Sequence, residues 1–232
     1  MEKVILGQPI GLEEFIQAAV YGSQVEFSEE YKNRVENSRR ILEACVDRQE
    51  PVYGTTTGFG ALVTEFIQKD QAELLQKNII LTHAVSVGEP MEEQEVRAVM
   101  LMVLQSLGQG RSGVRLELLE RYRQFLNKNL IPYVPKEGSV GYLCAEAHIA
   151  AVLIGEGKAW YQGELLPAKE ALEKAGIEPI TLSYKEGLAL INGTTSPTAL
   201  SALAVYRMEQ AAEAADVAAA MSLEGLGGLL RA

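Results

Sequence analysis

Residues 187–200 read GLALINGTTSPTAL, a short apolar run, an Asn-Gly turn, and the start of a long alanine-rich segment. Ser196 is placed to cap a helix there, with Pro197 at its first position, where a missing N–H costs nothing. From Ser196 to about Leu223 no Gly or further Pro interrupts the chain. Small residues recur at 199, 202, 204, 211, 212, 214, 215, 218, 219 and 220, and Leu203, Val205, Met208 and Val217 add apolar contacts. Such a helix, roughly 27 residues and ~40 Å long, needs neighbours of similar length. This chain supplies few, so the helix reads as one member of a bundle completed by further sequence or by other subunits.

Working outward, the rest of the chain is also mainly helical. Glu13–Ala19 is a short helix and Val25–Phe27 a brief strand. Ser28 is an N-cap with Glu29 and Glu30 in the first turn. Tyr31, Val35, Leu42 and Cys45 then share one face of a helix ending near Arg48. Further helices are expected over Lys69–Ala84, Glu92–Leu107, Val114–Asn127 and Cys144–Ile154. The second of these is apolar almost all round from Ala98 to Leu104, which predicts an interior helix. Pro132 and Pro135 bracket an extended segment. Lys158–Leu166 reads as a hairpin around a Gln-Gly turn. Ala168–Ala175 is a helix stopped by Gly176. The expected organisation is a unit over 1–190 carrying the Gly-rich loops, and the start of a helical bundle over 191–232.

Composition narrows the function. The 232 residues are 47% apolar and 22% charged, with a formal charge of −10, so a real core is expected and phosphate backbones or anionic membranes are repelled. The opening MEKVILGQPIGLEEF lacks the apolar run of a signal peptide. The apolar stretch from Ala98 is shorter than the ~20 residues that span a bilayer. A cytoplasmic protein binding neither nucleic acid nor membrane is expected. Cys45 and Cys144 make no disulfide framework, and His83 and His148 are the only histidines, so no His-rich metal site is expected. Cys144 reads as a buried structural cysteine.

Taken singly, the polar groups in the loops are ordinary in kind: Tyr53 in PVYGTTTGFG, His83 near a helix end, Asn192 in a turn. Together they form an ordered set. YGTTTGFG at 53–60, LQKNIILTHAVSVG at 75–88, EGSVG at 137–141, EAHIA at 146–150 and GLALINGTTSPTAL at 187–200 resemble, in order and spacing, the histidine and aromatic amino acid ammonia-lyases. The resemblance covers most of residues 3–232. It implies a mainly α fold with short β segments leading into a long helix of a central bundle, and a parent about twice this length that is a homotetramer.

By the same resemblance, Tyr53 matches the catalytic base that removes the β-proton, His83 a substrate-pocket position, and Asn192 an asparagine that hydrogen-bonds near cofactor and substrate. Asn78, Gly60, Ser139 and Gly141 lie in matched motifs and read as loop support. The departure is as informative. In the family, Gly-Ser-Val-Gly leads into Ala-Ser-Gly, which cyclises to a methylidene-imidazolone electrophile, followed by an Asp-Leu-Ala-Pro-Leu-type run. Here Gly138-Ser139-Val140-Gly141 meets Tyr142-Leu143-Cys144-Ala145-Glu146 directly, a gap of three residues. Either the tripeptide is absent, or it exists as one modified group that leaves no letters in the sequence. The altered flank at Tyr142, Ala145 and Glu146 favours absence, and hence no cofactor.

Without the electrophile, a primary amine leaves poorly, but trimethylamine departs as a neutral molecule. The resemblance therefore implies a carbon–nitrogen lyase eliminating an amine from an imidazole or aromatic amino acid or its betaine, as ergothionase-type relatives do. The alternative is a non-catalytic binding or scaffold protein on a lyase fold. Two roles are open for Tyr142 and Glu146: contacting a cationic ammonium by ring face and counter-charge, or filling space and capping the following helix.

Overall fold

The computed structural model describes residues 3–58, 71–138 and 143–228. Among them, helices dominate and strands are short. A β1 (Val4–Leu6), α1 (Leu12–Ala19), β2 (Val25–Phe27) unit opens the chain, with β1 and β2 paired in parallel. Ser28 then starts α2 (Glu29–Asp47) as expected, its hydroxyl accepting the Tyr31 amide at 3.1 Å. Tyr31 is buried, donates to the Leu104 carbonyl, and lays its ring over Gly108. A Cβ there would lie 1.9 Å from a ring carbon, so only glycine admits the contact. Past Val35 the shared face thins out: Leu42 and Cys45 are only half-buried, because the end of α2 has little packed over it.

The interior helix is α4 (Glu93–Leu107). Val96 to Leu101, Val103 and Leu104 are buried, as an all-round apolar pattern requires. Against it pack α1, α5 (Leu116–Lys128) and the first turns of α9 (Thr195–Gly225). Buried Arg97 ties this layer together. It donates to the Ala18, Ala19 and Leu126 carbonyls and to Asn129 Oδ1, satisfying the C-terminal ends of two helices that would otherwise be orphaned.

A second layer is formed by α3 (Ala72–His83), α6 (Cys144–Leu153) and α8 (Glu186–Ile191), which pack on one another. Short strands fill the gaps. β3 (Val87–Pro90) pairs antiparallel with β5 (Pro135–Glu137), and β4 (Ile131–Pro132) joins the expected hairpin of β6 (Lys158–Tyr161) and β7 (Glu164–Pro167). Helix α7 (Ala168–Ala175) ends on Gly176 in the left-handed conformation.

The long helix is longer than its sequence pattern predicted. It runs Thr195–Gly225, about 46 Å. Ser196 is not its cap. Thr194 holds the N-cap position without a side-chain bond, and Ser196 lies inside the first turn. Only Ser196, Ala199 and Leu203 are buried; beyond Tyr206 every described residue of the helix is exposed. The run 186–225 is long and apolar enough, by length and composition, to cross a membrane, a candidate that the sequence pattern alone did not raise. Arg207, Glu209, Glu213, Asp216 and Glu224 punctuate its exposed half, a pattern suited to water or a protein partner rather than lipid.

Candidate active site

Tyr53 stands in a loop built by its threonines. The Val52 carbonyl accepts the amides of Thr55, Thr56 and Thr57 at 3.0–3.3 Å, and the Thr56 hydroxyl accepts the Val52 amide at 2.8 Å while donating to the Glu50 carbonyl. Gly54, with φ 66°, makes the turn possible. The three threonines are buried and Tyr53 is left 48% exposed. Lys185, just before α8, donates to the Tyr53 carbonyl at 3.1 Å. Lys185 is itself in a left-handed conformation, and burial lowers the pKa of its ammonium. Gly60 lies outside the described residues.

His83 ends α3. Its Nδ1 is 2.7 Å from the Ile79 carbonyl, which can only accept, so Nδ1 carries a proton and donates. Asn78 is exposed on the same helix, its carbonyl accepting the Thr82 hydroxyl. The other histidine, His148, faces inward from α6. Its Nε2 accepts the Ser86 amide at 3.1 Å, and burial lowers its pKa. Cys144, expected in the interior, is only half-buried, with Sγ 3.8 Å from the Gly138 carbonyl. It opens its helix at the surface of the layer rather than within it. Among the described residues no three His, Cys, Asp or Glu side chains converge as metal ligands.

Asn192 closes α8 in an extended conformation and is exposed. The turn it begins is pinned at both flanks from other helices. Upstream, buried Gln76 of α3 accepts the Gly187 amide at 2.8 Å and the Leu188 amide at 3.4 Å. Gly187 is glycine because a Cβ would lie 2.6 Å from the Gln76 carbonyl oxygen. Buried Glu186 is held by a two-toothed pair with Arg115, at 2.9 and 2.7 Å, and by the Ser183 amide. Downstream, Glu146 of α6 is fully buried and accepts the Thr195 hydroxyl at 2.6 Å and the Ser196 amide at 2.9 Å. Glu146 thus satisfies the start of α9, and not of its own helix as the space-filling reading had it. Ser139, Gly141 and Tyr142 lie outside the described residues.

Tyr53, His83 and Asn192 are thus borne by segments locked to one another: α8 packs on α3 and α6, and Lys185 ties the Tyr53 loop to the start of α8. Gln76, Lys185, Arg115 and Ser86 were not legible as site residues in the sequence. Each acts through a contact with a segment far along the chain, which no local pattern announces.

The family description for aromatic amino acid lyase matches residues 10–232. The chain belongs to the aromatic amino acid lyase family. Within the family it is 42% identical to histidine ammonia-lyase of Alkaliphilus oremlandii, over all of this chain and 46% of that one, and 45% identical to the Myxococcus xanthus enzyme over 97% of this chain and 45% of that one. It superposes on ergothionase from Treponema denticola with a TM-score of 0.92 at 30% identity, covering 99% of this chain and 47% of the other. Histidine ammonia-lyase from Trypanosoma cruzi gives 0.91 at 37%, covering 98% and 45%. The chain therefore spans about half the length of the relatives it matches.

The electrophile that the family builds from Ala-Ser-Gly does not fit the residues present. Between Gly138 and Leu143 the chain has only Ser139 to Tyr142, and α6 begins at Cys144. The first turn of α6 instead carries the buried carboxylate of Glu146.

Proposed function

We propose that this chain is the N-terminal half of a carbon–nitrogen lyase that eliminates an amine from an imidazole or aromatic amino acid or its betaine. The observation that carries the reading is the family match together with Tyr53, His83 and Asn192 on interlocked segments. Tyr53 takes the β-proton, the electron pair left behind forms the carbon–carbon double bond, and the C–N bond breaks with its pair on nitrogen. His83, through its Nε2, and Asn192 hold the substrate, and Tyr142 borders it. Asn78, Gly60, Ser139 and Gly141 support the loops around them.

The missing tripeptide selects among substrates. A betaine needs no covalent activation, because trimethylamine leaves neutral; a primary amino acid does. The likeness to ergothionase supports the betaine. Residues 1–190 would form the site-bearing unit and 191–232 the first part of a central bundle, in a cytoplasmic homotetramer of the full-length protein.

The test is elimination of trimethylamine from the betaine of histidine by the full-length protein, with Tyr53→Phe beside it. Loss of about 100-fold or more in kcat is expected for removal of a general base. A Tyr53→Phe variant at the wild-type rate would sink the reading. An intact mass equal to that of the encoded sequence, without new absorbance near 300 nm, is expected if the electrophile is absent.

A further inference from the structure

The two helices that meet at the Asn192 turn, α8 before it and α9 after it, each have amides of their first turn satisfied by a side chain from elsewhere. Residues 192–194 carry no side-chain cap of their own for α9. Asn192 is held upstream by its amide, which donates to the Leu188 carbonyl at 3.0 Å, and on the downstream side the side chain that holds Thr195 and Ser196 is Glu146. Its Oε1 takes both bonds, while its Oε2 and the Ser196 hydroxyl have no partner among the described residues. A fully buried carboxylate is costly. Here it is offset by two hydrogen bonds and by the positive end of a long helix. The carboxylate comes from the altered segment that follows the cofactor gap, where the family pattern has an apolar residue.

We propose that Glu146 is a positioning residue for Asn192: by accepting the Thr195 hydroxyl and the Ser196 amide it fixes the start of α9 and so the turn that presents Asn192 to substrate. This rests on the reading of Asn192 under Proposed function. The rebuilt flank then has a specific role, because the residues beside the missing electrophile anchor the substrate-binding turn. Glu146 itself does not touch the substrate. Gln76 plays the matching part on α8, so the turn is gripped by α3, the helix that bears His83, and by α6.

The experiment is a double-mutant cycle in the full-length protein, with the betaine of histidine as substrate. Glu146→Leu and Asn192→Ala are each expected to lower kcat/KM by about tenfold or more, and the double variant to be no worse than Asn192→Ala alone, as expected when one residue acts through the other. Glu146→Gln, which keeps an acceptor in place, is expected to recover most of the loss. Should Glu146→Leu not fold, Thr195→Val removes one of the two bonds and takes its place in the cycle. In the 232-residue chain, amide exchange at Ser196 is expected to quicken in Glu146→Leu and not in Glu146→Gln. Losses that multiply in the double variant would overturn the inference while leaving the role of Asn192 intact, as would a Glu146→Gln variant no better than Glu146→Leu. An Asn192→Ala variant with unchanged kinetics would overturn both.

Discussion

Glu146 and Ser196 are fifty residues apart in sequence and one hydrogen bond apart in space, 2.9 Å from carboxylate oxygen to amide nitrogen. The bond joins α6 to the start of α9 inside the protein, where no water competes. Glu146→Ala removes the acceptor of two bonds and opens a cavity beside an uncapped helix end. A loss of about 2–4 kcal/mol in urea unfolding is expected, larger than an ordinary surface cap because the orphaned amide is buried. A loss below about 0.5 kcal/mol would show that the cap is dispensable.

Gln76 offers a contrasting case. Its side-chain Oε1 serves two amides of α8, but its Nε2 is buried without a partner among the described residues. Gln76→Leu removes that unsatisfied donor as well as the acceptor, so the two changes partly cancel. The expected destabilisation is about 1–2 kcal/mol. Gln76→Ala, which adds a cavity, should cost more by about 1–2 kcal/mol. Equal losses for the two would mean that the close backbone approach at Gly187, and not the side chain, holds α3 to α8.

The His148 imidazole brings a pH dependence whose sign follows from its environment. Burial lowers its pKa below the ordinary value of about 6.5, and the Ser86 amide pointing at Nε2 suits only the neutral ring. The unfolded chain therefore binds the proton more readily than the folded one. Stability from this group is fully present above about pH 6.5 and is lost as pH falls below it. Unfolding midpoints measured from about pH 8 down to about pH 5 should drop on the acid side. His148→Gln, which can still accept the Ser86 amide, should flatten that drop. An unchanged slope in the variant would assign the acid sensitivity elsewhere.

The exposed arm of α9 predicts association. Val205, Met208, Val217, Met221, Leu223 and Leu226 all face solvent along one uncovered helix and its end. A surface of that kind is normally covered by protein. Sedimentation of the 232-residue chain should show concentration-dependent oligomers, and Met208→Glu with Met221→Glu should shift it towards monomer. A compact monomer at every concentration would count against this.

Local elements were readable in the sequence and long-range ones were hidden. Ser28 before two glutamates, Gly176 after a helix and the apolar run at Ala98–Leu104 carry their meaning within a turn or two of chain, and the structure agrees with each. Ser196-Pro197 has the form of a local signal too, and it misleads. The helix starts earlier because its cap arrives from α6, so Ser196 is free to lie within the first turn. Cys144 misleads for a related reason: hydrophobicity says that a residue can be buried, and only tertiary packing says whether something covers it. The segments bearing Tyr53, His83 and Asn192 are legible as a set because their order and spacing match a family. How they are locked together is not, since Lys185 and Gln76 each look like an ordinary surface residue in sequence, and nothing near Glu146 in the chain says that it reaches α9.

Past Arg207, which reaches back to Glu92, no described residue of α9 is buried. Order there depends largely on alanine propensity, and isolated helices of such length are marginal in water. Where the arms associate as predicted above, diluting the protein should therefore lower its helix content. Folding of this half of α9 and assembly would then be one equilibrium, with the concentration of chains a term in the stability of each of them.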